Sequence, residues 1–155
     1  MKLGAVLRKE RERKRIAIEA AAVKVGSSLG EYQEIESGAS SIEEWGPRIA
    51  EIAIKLATPT SRLISETGKS TQAAQREGQC GDLVTKCREG IGLTRDELAA
   101  RLSWPVGQLA SVEDGTSPLE RYAPLLLRFA EMINQPIFNL FYPCGLPFAE
   151  LNDYP

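Results

Sequence analysis

Apolar residues recur at spacings of three and four along most of this chain, which is the pattern of amphipathic helices. The clearest example is a stretch near the carboxyl end, where the spaced residues are Leu119, Tyr122, Leu126, Phe129 and Ile133. No strand signal competes with this pattern. The spacing therefore predicts an all-α protein.

Helix-starting and helix-ending residues divide the segment 82–143 into five predicted helices. The first runs from about residue 82 to 89, with Leu83, Val84 and Cys87 on its inner face, and ends at Gly90 and Gly92. A second helix begins at the sequence Thr94-Arg95-Asp96-Glu97, which is typical of a capping box.

Proline and glycine set the remaining boundaries. Pro105 is expected as the first residue of a third helix, where its missing N–H costs nothing. That helix ends at Gly115, and Pro118 opens a longer fourth helix. Pro136 ends the fourth helix, and residues 137–141 form a short fifth one.

Sliding the chain against itself by 77 positions reveals an internal repeat, which changes the predicted domain organisation. The apolar positions of the two segments align without a gap. The identical pairs are Gly4/Gly81, Lys9/Lys86, Arg11/Arg88, Glu12/Glu89, Ala22/Ala99, Glu36/Glu113, Gly38/Gly115, Glu43/Glu120, Pro47/Pro124, Ala53/Ala130, Pro59/Pro136 and Leu63/Leu140. We predict a first copy (residues 1–65), a polar linker (66–80), a second copy (81–143) and a tail (144–155). The sequence leaves open whether the linker contains a short helix near residues 71–77.

The first copy presents one alternative. Nothing between Lys2 and Val25 breaks a helix, so one long helix is an alternative to two. The charged run at residues 8–15 interrupts the apolar stripe before Ile16 restarts it. This interruption favours a break between Lys14 and Ala17.

Composition narrows the classes of function. The 155 residues contain no histidine, and 21 acidic residues exceed 19 basic ones for a net charge of −2. Without histidine, and without a phosphate loop or metal-spaced ligands, we expect no enzyme, no cofactor and no metal site. The acidic average argues against nucleic acid, but it conceals a charge of +5 on residues 1–15.

Three cysteines without a CxxC pair suggest free thiols and a cytoplasmic protein. No apolar stretch approaches the roughly 18 residues of a membrane span, so we expect no membrane partner. Cys87 is expected to be buried rather than reactive.

The second copy resembles the phage-repressor (XRE/Cro-type) helix-turn-helix family. The resemblance lies in the sequence from Leu93 to Ala99 and continues through Leu102, Leu109, Val112, Glu113, Gly115 and Pro118. It implies two tandem five-helix, lambda-repressor-like domains, of which the first is degenerate because it resembles the family through the second copy alone.

The resemblance also implies sites. In the second copy the candidates for contacting DNA are Thr94, Arg95, Val106, Gly107, Gln108 and Ser111. In the first copy they are Ser28 and Gln33, together with the basic residues Lys9, Arg13, Lys14 and Arg15 as phosphate contacts. Ala17 and Ile18 replace the usual cap and the usual first DNA contact, which favours a packing role for this copy.

Three points remain open at the level of sequence. The charged run is either a phosphate-contacting patch or a solvated helix with Glu/Arg pairs at helical spacing. Trp104 either fills a gap between the copies, which we favour, or stays exposed for a partner. Homodimerisation is open, through the end carrying Phe138 and Phe141 or through residues 147–155.

Two ion pairs, Arg11 with Glu36 and Arg88 with Glu113, are implied to be structural, with Gly38 and Gly115 as left-handed caps. The expected function is that of a transcription regulator that binds double-stranded DNA. The alternative is a protein-interaction module, antitoxin-like or anti-repressor, that has lost base reading.

Overall fold

The computed structural model describes residues 1–72 and 76–146, and in these residues the protein is all-α, as predicted. The α-helices are α1 (Leu3–Arg13), α2 (Ile18–Val25), α3 (Leu29–Ser37), α4 (Ile42–Leu56), α5 (Gln79–Gly90), α6 (Arg95–Leu102), α7 (Val106–Glu113) and α8 (Leu119–Met132). Short 3-10 helices lie at Thr60–Leu63, Ser70–Gln72, Ile137–Leu140 and Tyr142–Cys144.

The backbone repeats the 77-residue spacing of the sequence. Of the eleven residues with positive φ in the described ranges, ten form pairs 77 positions apart: Arg15/Gly92, Gly26/Ser103, Gly38/Gly115, Ala57/Asn134 and Gly68/Gly145. Left-handed backbone is rare outside glycine, so this agreement reflects turns of the same shape rather than chance. The two copies thus share their connections as well as their helices.

The break inside the first copy is where the charged run placed it. α1 ends at Arg13 and α2 begins at Ile18, with Arg15 at φ 56° in the turn between them. The single long helix is therefore excluded.

The first helix of the second copy begins earlier than predicted. α5 starts at Gln79 because the Glu120 carboxylate accepts the backbone N–H groups of Cys80 (3.3 Å) and Gly81 (2.8 Å). The buried face of α5 also differs from the predicted one. Leu83 and Cys87 are half-buried, and the buried residues are Gln79, Cys80, Gly81, Val84 and Arg88.

Smaller differences concern helix ends. Pro105 and Pro118 are the residues before α7 and α8 rather than their first residues, and Asp114 separates the end of α7 from Gly115. The predicted fifth helix, at residues 137–141, is the 3-10 helix Ile137–Leu140. In the linker, the helical segment is Ser70–Gln72, and residues 73–75 lie outside the described residues.

The buried residues of both copies form one continuous apolar core. α4 packs on α8, α2 packs on α8, and α6 packs on α4. Because α2 corresponds to α6 and α4 to α8, these contacts are related by an approximate two-fold axis, as in an isologous dimer interface.

This packing accounts for two aromatic residues that the sequence left open as a contact for homodimerisation. Phe138 and Phe141 are 2% and 0% exposed, because the 3-10 helix Ile137–Leu140 packs against α8. They belong to the core and offer no surface to a second chain. Residues 147–155, the other alternative, lie outside the described residues.

Candidate nucleic-acid interface

In each copy two short helices meet at a three-residue turn. α6 and α7 are joined by residues 103–105, and α2 and α3 by residues 26–28. The first residue of each turn is left-handed, Ser103 at φ 59° and Gly26 at φ 81°. Each turn therefore begins with a left-handed residue and ends with an extended one, Pro105 and Ser28.

The first turn of α7 is open to solvent. Val106 is 43% exposed, and a Cβ added at Gly107 would meet nothing within 4 Å. The side chain of Gln108 is half-buried and makes no hydrogen bond to the described part of the chain. The Ser111 hydroxyl instead donates to the Gln108 carbonyl (2.7 Å), so its donor is already used.

Arg95 lies at the start of α6 and contacts an ion pair rather than standing alone. Arg88 donates from Nε and Nη2 to both oxygens of Glu113, at 2.8 Å each, and from Nη1 to the Leu93 carbonyl. Arg95 adds a longer bond to the same carboxylate (3.3 Å) while its side chain stays 43% exposed. Both Glu113 oxygens are already bonded to Arg88, so Arg95 is the less tightly held of the two arginines and part of its side chain remains open to solvent.

The predicted capping box is present at the start of α6. The Thr94 hydroxyl accepts from the Glu97 N–H (3.1 Å), and the Glu97 carboxylate accepts from the Thr94 N–H (3.0 Å). These hydrogen bonds lower the pKa of Glu97 and keep a negative charge there. Asp96 adds a second acid, so this helix end presents carboxylates where a phosphate would otherwise fit.

The corresponding surface of the first copy differs in chemistry. The Ser28 hydroxyl caps α3 by accepting from the Glu31 N–H (3.1 Å), and Gln33 is exposed. Glu31 forms an ion pair with Arg121 of the second copy, so it presents no bare carboxylate to a ligand. Val23 is 79% exposed and Leu29 39%, which places two apolar side chains at the surface of this copy.

The charged run of α1 is partly paired. Arg8 bonds Glu12 (2.9 Å), Arg13 bonds Glu10 (2.6 Å), and Arg11 bonds both oxygens of Glu36 (2.7 and 3.0 Å). Lys9, Lys14 and Arg15 are exposed and make no ion pair within the described residues. Three cations of the run are thus neutralised locally, as the interpretation as a solvated helix expects, and three others point to solvent.

Trp104 packs between the two copies, which is the role that the sequence favoured. Burial raises the pKa of the Glu51 carboxyl on α4. The interaction of this carboxyl with the Trp104 indole N–H partly offsets that rise. The Arg48 guanidinium lies 4.3 Å from the Trp45 ring centre and 5.8 Å from that of Trp104. The turn between α6 and α7 is consequently held by α4 of the first copy.

Apart from the packing of Trp104, sequence reasoning missed the contacts between the copies. Besides Glu31 with Arg121, Arg128 on α8 donates to the Val25 carbonyl at the end of α2 (3.3 Å). Arg128 on α8 corresponds to Glu51 on α4, 77 positions earlier. Glu51 interacts with Trp104 just after α6, and Arg128 with Val25 at the end of α2, so the fourth helix of each copy contacts the end of the other copy's second helix. The repeat spacing could have suggested such paired contacts, but no single residue in the sequence indicates them.

No protein-family model, curated protein or solved structure matches this chain. Across the described ranges no helix has the length and apolar character needed to cross a membrane. Nor do those ranges bring together three or more acidic or thiol side chains in a group suited to a metal ion.

Proposed function

We propose that the protein is a transcription regulator that binds double-stranded DNA through tandem helix-turn-helix units of the phage-repressor type. The observation that carries this proposal is the exposed first turn of α7, which follows α6 after a three-residue turn that begins at the left-handed Ser103. A helix of this kind enters the major groove with its first residues on the base edges.

The second copy supplies the base-reading side chains in this proposal. The Gln108 amide, which has no partner within the described chain, suits the hydrogen-bonding edge of adenine, and Arg95 suits guanine or phosphate. Val106 offers an apolar contact to a thymine methyl. The open space at Gly107 lets the duplex approach the backbone closely.

The first copy contributes phosphate contacts and little base reading. Lys9, Lys14 and Arg15 supply exposed positive charge that lacks ion-pair partners within the described residues. At the position matching Gln108 the first copy has Glu31, which is tied to Arg121. Two chemically different readers on a two-fold scaffold favour a site that is not palindromic.

Selection from a random library of double-stranded DNA tests the proposal. We expect a non-palindromic sequence to be enriched, and its affinity to fall as salt rises because counterions are released. The double variant R95A/Q108A should lose about tenfold or more per contact, since a good base contact contributes about 1–3 kcal/mol.

The variant R101A is the matched control. It removes one positive charge from the exposed far end of α6, so it should leave the preference for the selected site unchanged. Failure to enrich any sequence, or equal binding by wild type and the double variant, would contradict the proposal.

A protein-interaction module is the second candidate, and two exposed apolar residues of the first copy favour it. Val23 and Leu29 are exposed where a DNA-binding unit would present polar groups, and Glu31 is already paired. Retention on heparin and non-specific DNA at low salt separates the candidates. A partner protein that co-purifies regardless of salt, with no retention on DNA, would support the module.

A further inference from the structure

The helix α8 belongs to the second copy, but its first turn is held against the first copy. The Tyr122 hydroxyl forms a hydrogen bond with the Ser41 hydroxyl just before α4 (2.6 Å). Farther along α8, Arg128 donates to the Val25 carbonyl at the end of α2, and α2 packs against α8. These separate contacts place the start of α8 within reach of the first copy's helix-turn-helix.

Arg121 extends from this turn of α8 to the first turn of α3. Its guanidinium forms an ion pair with the carboxylate of Glu31, the third residue of α3. The Glu31 side chain is 20% exposed and the Arg121 side chain 66%, so the carboxylate is the covered partner and the guanidinium the outer one. A guanidinium carries five N–H donors, and one carboxylate uses only some of them. Donors therefore remain for a ligand at the first turn of α3.

The first turn of α3 has few groups of its own that could read a base. Leu29 is apolar, and Gly30 has no side chain. The Ser28 hydroxyl already accepts from the Glu31 N–H, and a Glu31 carboxylate without a cation would repel phosphates. Arg121 supplies the positive, forked donor that this turn lacks.

The repeat shows that this arrangement exists on one side of the approximate two-fold axis. The residue 77 positions before Arg121 is Glu44, whose carboxylate accepts from Arg48 on the same helix (3.1 Å). The residue 77 positions after Glu31 is Gln108, a neutral side chain. The first copy's helix-turn-helix thus receives an arginine from the other copy, and the second copy has an acid at the equivalent position.

We infer that Arg121 is a base-reading residue of the first copy's helix-turn-helix, with Glu31 positioning its guanidinium to donate to O6 and N7 of a guanine in the major groove. Arginine is the side chain that most commonly contacts guanine in this bidentate way. A carboxylate that already holds the arginine reduces the conformational entropy lost on binding. The inference rests on the proposed function and adds one specific contact to it.

Selection of double-stranded DNA by the wild-type chain and by variants in parallel tests the inference. Arg121→Ala should make one guanine position of the selected site degenerate and lower the affinity for the wild-type site about tenfold or more. Although Arg121 lies in the second copy, this position should differ from those relaxed by R95A/Q108A, because Arg121 acts at α3 rather than at α7.

Two conservative variants separate base reading from a general effect of charge. Arg121→Lys should relax the same guanine position, because an ammonium lacks the forked donors, but it should keep most of the affinity that depends on charge. Glu31→Gln keeps the size of the side chain and removes the charge that holds the arginine. It should therefore weaken the preference for guanine at that position.

Arg8→Ala is the matched control, because the Arg8 side chain is 65% exposed and forms an ion pair with Glu12 on α1 (2.9 Å). It removes the same charge and should leave the base preference at every position unchanged. Far-UV circular dichroism checks that each variant is folded.

Two results with Arg121→Ala would overturn this inference and leave the proposed function standing. One is an unchanged base preference, including an equal loss of affinity for all sequences. The other is relaxation of the same positions as in R95A/Q108A. Failure of the wild-type chain to enrich any sequence would overturn both.

Discussion

Single residues in this protein differ greatly in what they contribute, even when they touch the same atom. Glu113 illustrates this, because its fully buried carboxylate binds both Arg88 and Arg95. The Arg88 side chain is 9% exposed and bonds both oxygens, whereas Arg95 remains near the surface with one longer bond. Burial and geometry, rather than charge alone, separate a structural arginine from one available to a ligand.

The first residue-scale prediction uses this pair. Arg88→Met should lower the free energy of unfolding by about 3–5 kcal/mol, because it leaves a buried carboxylate without its main partner. Arg95→Met should lower it by about 0.5–1.5 kcal/mol, the contribution of one hydrogen bond, because Glu113 keeps both of its bonds to Arg88. Urea denaturation followed by circular dichroism measures both. Equal losses in the two variants would contradict the assigned difference.

At the scale of elements, the helix pairs α1/α3 and α5/α7 cross at glycines. A Cβ at Gly81 would press on the carbonyl oxygens of Val112 and Glu113, and one at Gly4 would press on that of Ile35. The close approach also brings Glu113 to Arg88 on α5. The ion pair of Arg88 with Glu113 therefore requires a residue as small as glycine at position 81.

The prediction at this scale compares two helical glycines. Gly81→Ala should destabilise the protein by about 1–3 kcal/mol, as overpacking against fixed backbone does. Gly107→Ala should stabilise it by about 0.5–1 kcal/mol, because its added methyl meets open space and reduces the freedom of the unfolded chain. Thermal unfolding of both variants provides the measurement, and a loss of stability in Gly107→Ala would refute this reasoning.

At the scale of the whole molecule, the two copies share one core and should unfold together. The contacts of α4 with α8, α2 with α8 and α6 with α4 leave neither copy with a separate interior. We therefore predict a single cooperative transition in urea, with coincident curves from circular dichroism and tryptophan fluorescence. Two resolved transitions would show instead that one copy holds its fold without the other.

Sequence and structure agree most closely where a feature is encoded within a few neighbouring residues. The capping box of Thr94 and Glu97, the break near Arg15 and the repeat of 77 residues were all readable from the chain. The start of α5 was not, because the hydrogen bonds of the Cys80 and Gly81 N–H groups go to Glu120, which lies 40 and 39 positions away.

The candidate site divides in the same way. The sequence by itself determined the all-α class, the turns and which residues occupy the start of α7, since local spacing and backbone preference fix them. Tertiary structure alone decided that Glu31 pairs with Arg121 and that Trp104 packs against the α4 of the other copy. The repeat shows that two copies exist, but how they pack depends on the combined fit of two surfaces, which no local pattern contains.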